Sequence, residues 1–148
     1  MTKHLPVVAG ALLALIFVAS GLVVLLDLVS QPPLPEGSPL ALFMSAFGPT
    51  GYLTFVKVLE VLGGSLVAIP RTRNLGLLVL GPIIVNILAF HLFIMDGAGL
   101  SDPPLVLVCV LAAYLLWVER KAFVGLVTRR NEPQERLRES PIGELTAG

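Results

Sequence analysis

Four polar side chains, Lys57, Glu60, Asn86 and His91, stand inside stretches that are otherwise almost entirely hydrocarbon. A lysine or carboxylate near the middle of a membrane helix costs roughly 2.5 to 3.5 kcal/mol on the insertion scale. Lys57 with Glu60 would therefore burden one helix by about 5 to 7 kcal/mol if both stayed unpaired. Spaced three apart, they share a helical face and can neutralise each other. Ionisable groups in such places mark a ligand or proton site by default, the plainer alternative being an ion pair that fixes packing. An amide and an imidazole on a neighbouring helix would complete a site for an oxygen-bearing headgroup. Lys57 and His91 would donate to such a headgroup, Glu60 would accept or relay a proton, and Asn86 would orient it. Ser20 and Asp27, seven apart in the first apolar run, and Thr54, one turn before Lys57, are further contributors.

The elements that must position them follow from composition. Of 148 residues 55% are hydrophobic and 14% charged, against about 45 to 50% and about 25% in average globular chains. Four apolar runs, 5–29, 51–69, 75–95 and 104–118, hold more than half the chain and leave no room for a second, soluble domain. About 20 apolar residues cross a bilayer as a helix. The fourth run is short, but Trp117 suits an interface and Arg120 and Lys121 can snorkel. The runs lack the alternation of barrel strands, so each must satisfy its own backbone as a helix. The expected fold is all-α, a polytopic four-transmembrane-helix bundle occupying 1–121, followed by a disordered cytoplasmic tail over 122–148. The first run is too long for a secretory signal core, despite the small residues at Val18-Ala19-Ser20, and is read as a span.

With the N-terminus inside, Lys3, Arg71, Arg73, Arg120, Lys121, Arg129, Arg130, Arg136 and Arg138 all fall on the cytoplasmic side, and the outer loops, 30–50 and 96–103, carry no basic residue. The positive-inside rule then places both termini in the cytoplasm. Within the first outer loop, 40–47 is apolar but too short to span, so it lies along the interface or dips in as a re-entrant cap.

The tight turn over 70–74 predicts that the second and third spans form an antiparallel hairpin, with Glu60 level with Val85 and Asn86 and Lys57 level with Leu88, one turn from His91. On the second span Thr54, Lys57, Val61, Gly64 and Ala68 fall along one line, with Glu60 beside it, and are expected to form its buried face. Asn86 and His91 are about 140° apart around their helix. Both reach one pocket only if that helix is wedged between two neighbours or bent, as Gly81-Pro82 would allow.

Several chemistries lack parts. Cys109 is alone and cannot form a redox pair within one copy. Zero formal net charge argues against a nucleic-acid partner. A haem between two histidines is not expected, since His4 and His91 lie at opposite depths. A metal site is not expected either, because too few ligands converge. No GxxxxGK phosphate loop occurs.

The stretch Phe55-Val56-Lys57-Val58-Leu59-Glu60-Val61-Leu62-Gly63-Gly64, followed by Pro82-Ile83-Ile84-Val85-Asn86-Ile87-Leu88-Ala89-Phe90-His91-Leu92-Phe93, resembles the DoxX-like family of small bacterial membrane proteins. The likeness covers about 5–121. Many members carry an arginine near the start of the first helix, where Lys3 and His4 stand here. The resemblance implies a four-helix membrane fold and an association with redox complexes, hence a bilayer-embedded subunit or accessory, rather than a stand-alone oxidoreductase, with a quinone-like lipid as ligand. The same residues leave two other readings open: a small transporter acting as a homo-oligomer, and a scaffold for partner proteins.

Overall fold

The computed structural model describes residues 4–30 and 32–127. Among the described residues all regular structure is helical: α1 (Leu5–Leu25), α2 (Pro39–Phe47), α3 (Tyr52–Ala68), α4 (Arg73–Phe93), α5 (Pro103–Val118) and α6 (Arg120–Val127). By length and composition α1 and α4 can each cross a membrane. A third candidate arises if α2 and α3, which meet at 87°, count as one bent span, and α5 is apolar but shorter. The large apolar side chains left on the outside, among them Leu15, Phe55, Leu62, Leu78, Val85 and Val110, form the kind of surface that hydrocarbon covers without penalty.

Local chemistry sets the helix ends. The first apolar run was expected to stay helical to residue 29, but α1 stops four residues earlier. The Leu28 amide donates to Val23 O at 2.9 Å and the Asp27 amide to Val24 O at 3.2 Å, while Asp27 takes the left-handed conformation at φ 51°. This is a Schellman cap, with a short polar residue where glycine is commoner. Ser38 caps α2 by accepting from the Ala41 amide at 3.2 Å, with Pro39 opening the first turn. The apolar stretch 40–47 is thus itself a helix, lying nearly perpendicular to α3 and burying none of its residues. Gly51, at φ 76°, turns the chain into α3.

The long helices alternate in direction. At one end Gly10 of α1 lies against Val67 O of α3, and Arg73 at the start of α4 pairs with Glu119 just past α5. At the other end late α1, early α3, late α4 and early α5 surround one cavity. Helix α1 packs on α3 and α5, and α4 packs on the same two, closing a four-membered ring. Leu13, Val67, Leu80 and Leu115, one from each helix, are fully buried at its centre.

Glycine brings α3 and α4 together near their turn. A Cβ on Gly76 would stand 2.6 Å from the Val67 amide nitrogen and 2.7 Å from Gly63 O, so this is backbone against backbone. On the α1 side, a Cβ on Gly21 would meet Val61 Cγ2 at 2.5 Å and Lys57 O at 3.1 Å. The buried face of α3 is therefore Glu60, Gly63, Gly64 and Val67. This corrects the expected line: Thr54 and Ala68 are exposed, and Lys57 and Val61 are half-buried. The seam with α1 and α4 runs through the smallest residues, and that rotates the helix toward Glu60.

Helix α4 continues through Pro82 without interruption. The helix break after Val118 falls at Glu119, whose carbonyl accepts from the Ala122 and Phe123 amides. Residues 122–127, expected in the tail, belong to α6. Lys3, Arg129, Arg130, Arg136, Arg138 and the rest of the tail over 128–148 lie outside the described residues.

Candidate functional site

The cavity at the α2 end has a volume of about 440 Å³, and its walls are mainly apolar: Ile16, Phe17, Val24, Val56, Ile87 and Val108 from all four long helices. Its polar lining comprises Ser20, Lys57, Glu60, Asn86 and His91, with Tyr52 at the α2 side. Two helical turns of α3 and two of α4 supply most of these groups. Asn86 and His91 reach the same space because α4 lies between α3 and α5, so different sides of it border one gap.

Lys57 and Glu60 form the centre. The ammonium donates to both carboxylate oxygens, at 2.9 Å to Oε1 and 2.8 Å to Oε2, and reaches Ser20 Oγ on α1 at 3.5 Å. Glu60 is 2% exposed overall, whereas the Lys57 side chain keeps 24%. A buried charge is tolerated only with a partner and satisfied hydrogen bonds. Here one turn of helix supplies both halves of the pair.

His91 is held from its own helix. Its Nδ1 lies 2.8 Å from Ile87 O, one turn back. Its ring edge is covered by Gly99, where a Cβ would stand 2.9 Å from His91 Cδ2 and 3.2 Å from both His91 Nε2 and Asp102 Oδ2. Gly99 also sits at φ 80°, a conformation open to glycine without strain. The loop returns to the helix end through the Gly97 amide, which donates to His91 O at 2.8 Å. Asn86 lines the cavity while remaining exposed, and its carboxamide has no hydrogen bond among the described residues.

An aromatic chain closes the α2 side. Phe43 and Met44 of α2 face the cavity. Phe43 meets Phe90 edge-on at 5.2 Å and Phe47 at 4.8 Å, and Phe47 meets Tyr52 at 5.3 Å. These contacts hold a helix with no buried residue of its own over the opening.

Two expected contributors lie elsewhere. Thr54 is exposed and borders no part of the cavity, because α3 turns its Glu60 side inward. Asp27 is an exposed cap residue beyond the end of α1. Sequence reasoning also passed over the Arg73 and Glu119 pair, whose Nη1 and Oε1 are 3.3 Å apart. Arg73 is only 4% exposed, and its Nε and Nη2 have no partner among the described residues. Nothing along the chain signals that pair, since 46 positions separate the two. That Gly99 lies against both His91 and Asp102 was equally hidden, because it depends on the path of the 94–102 loop. Among the described residues, no group of three or more His, Cys, Asp or Glu side chains is arranged to hold a metal ion.

Compared with known proteins, the chain matches no family model. Over 82 residues it is 38% identical to the uncharacterized protein YwoB of Bacillus subtilis (strain 168). The match takes in 55% of this chain and 50% of that protein, so the chain spans about half the length of the curated relative it matches. No solved structure matches it.

Proposed function

We propose that this protein is a multi-pass component of a bacterial inner membrane, with four spans and both termini cytoplasmic. In this reading its cavity holds a small lipid with a polar ring, of the quinone class, in the outer half of the bilayer. It would serve as a DoxX-like subunit or accessory of a membrane redox system rather than as a stand-alone enzyme.

One observation carries the reading: the polar groups at Lys57, Glu60, Asn86, His91 and Ser20 all border a single cavity whose other walls are mainly apolar. Its volume lies within the roughly 300 to 1,000 Å³ usual for small-molecule sites. Apolar walls suit a ring and an isoprenoid-like tail, and a few convergent polar groups suit ring oxygens. A structural ion pair alone would need no such space beside it. The orientation rests on the distribution of arginine and lysine, and the fourth span on the apolar character of α5.

Native mass spectrometry of the intact protein in a membrane mimetic, with extraction of its bound lipids, tests this. The expected result is a ring-headed lipid retained by the wild type and lost on Lys57→Met. Extracts that hold phospholipid alone would overturn the proposal.

A further inference from the structure

The polar end of the cavity has more hydrogen-bond acceptors than donors to offer. A backbone carbonyl can only accept, so the 2.8 Å contact of His91 Nδ1 with Ile87 O places a proton on Nδ1. In the neutral ring Nε2 then carries a lone pair and cannot donate. The Lys57 ammonium gives two of its N–H groups to Glu60 and turns toward Ser20 Oγ with what remains. Each Glu60 oxygen takes one bond from Lys57 and keeps a further lone-pair position. Ser20, whose hydroxyl accepts from Lys57 and keeps its own O–H, and Asn86 and Tyr52 donate as readily as they accept and do not shift this balance.

We propose that the bound ligand is itself the donor: a lipid whose ring carries a hydroxyl, a phenol or the quinol form, giving its O–H to His91 Nε2, with Glu60 as the other available acceptor. The dicarbonyl form brings two more acceptors to a site already rich in them, and is held more weakly. Lys57 acts here as the group that holds Glu60 in place, and His91 as the group that selects the ligand's redox form. The inference rests on the cavity holding a ring-headed lipid and specifies which form it holds.

The test uses the full-length protein in lipid nanodiscs with two matched pairs of probes. One pair is a short-tailed benzoquinone and its quinol; the other, redox-inert, is para-nonylphenol and its methyl ether. Within each pair the hydroxyl form is expected to bind about tenfold more tightly, the weight of one hydrogen bond whose partner would otherwise be stranded. In His91→Phe, which keeps an aromatic ring but no acceptor, the preference should vanish. Equal affinities within both pairs, or tighter binding of the quinone and the ether, would overturn this inference and leave the wider lipid-binding proposal standing. If none of the four probes binds, both fall. Should His91→Phe fail to fold, the wild-type comparison decides alone.

Discussion

Glu60 Oε2 accepts from Lys57 Nζ at 2.8 Å, and the acid is nearly enclosed while the base keeps 24% of its side chain exposed. Removing one partner leaves the other as an uncompensated charge, which costs about 3 to 5 kcal/mol at buried sites, whereas replacing both by apolar groups of similar volume is often close to neutral. Lys57→Met, which strands the enclosed carboxylate, should lower stability by that order and Glu60→Gln by less, since the ammonium left behind is 24% exposed, and the Lys57→Met, Glu60→Leu double variant should recover most of the loss. Thermal unfolding in detergent measures this. The double variant should also come away without bound lipid; a full complement of ligand in it would favour a purely structural pair.

The approach of α3 and α4 predicts a sharp contrast between two glycines. Gly76 has no room for a methyl group, since the nearest atoms are the backbone of Val67 and Gly63, while Gly81 has nothing within 4 Å. Gly76→Ala should destabilise by about 1 to 3 kcal/mol, the usual range for overpacking, and by more if the hairpin cannot open. Gly81→Ala should be neutral or slightly stabilising, because alanine favours a helix over glycine. Equal unfolding temperatures for the two variants would show that the seam is looser than its geometry.

At the opposite end, the pair formed by Arg73 and Glu119 should respond unequally to its two deletions. Arg73 is 4% exposed, so Glu119→Gln leaves a buried guanidinium without a counter-charge. Arg73→Met leaves a carboxylate that is 25% exposed and can be hydrated. Loss of stability should therefore be larger for Glu119→Gln, by about 1 kcal/mol or more. The reverse order in unfolding experiments would mean that Arg73 finds another partner.

Gly99 fixes the ring of His91. A methyl group there would press on Cδ2 at 2.9 Å and would also strain a backbone at φ 80°. Gly99→Ala should weaken ligand binding several-fold through the displaced imidazole, with the helices intact by circular dichroism. Unchanged affinity would place the ligand away from His91.

Asp27 provides the opposite control. As a left-handed cap residue its replacement by glycine relieves backbone strain, so Asp27→Gly should leave ligand affinity unchanged and raise stability by at most about 1 kcal/mol. A loss of binding would return Asp27 to the site.

The link between sequence and site is clearest at α3 and α4. A spacing of three put Lys57 and Glu60 on one turn, and a turn over 70–74 set Asn86 level with Glu60 and His91 within a turn of Lys57, because helical rise is the same in both antiparallel helices of a hairpin. Rotation about the helix axis was less legible. Hydropathy weighs Thr54 and Ala68 as well as Gly63 for a buried seam, but the seam runs where backbones can touch, and that excludes any side chain that prevents contact.

Helical character, the placing of apolar runs and the pairing of Lys57 with Glu60 were thus determined along the chain, since each depends on neighbours within about one turn or on composition alone. The tertiary structure decided which side of each helix faces inward, that Asp27 ends α1 early, and that Arg73 meets Glu119. It also decided that α2 lies across a gap closed by Phe43 against Phe90. Those outcomes depend on the distances at which separate helices come to rest, and those distances are set by a few small residues acting together across positions far apart in the chain.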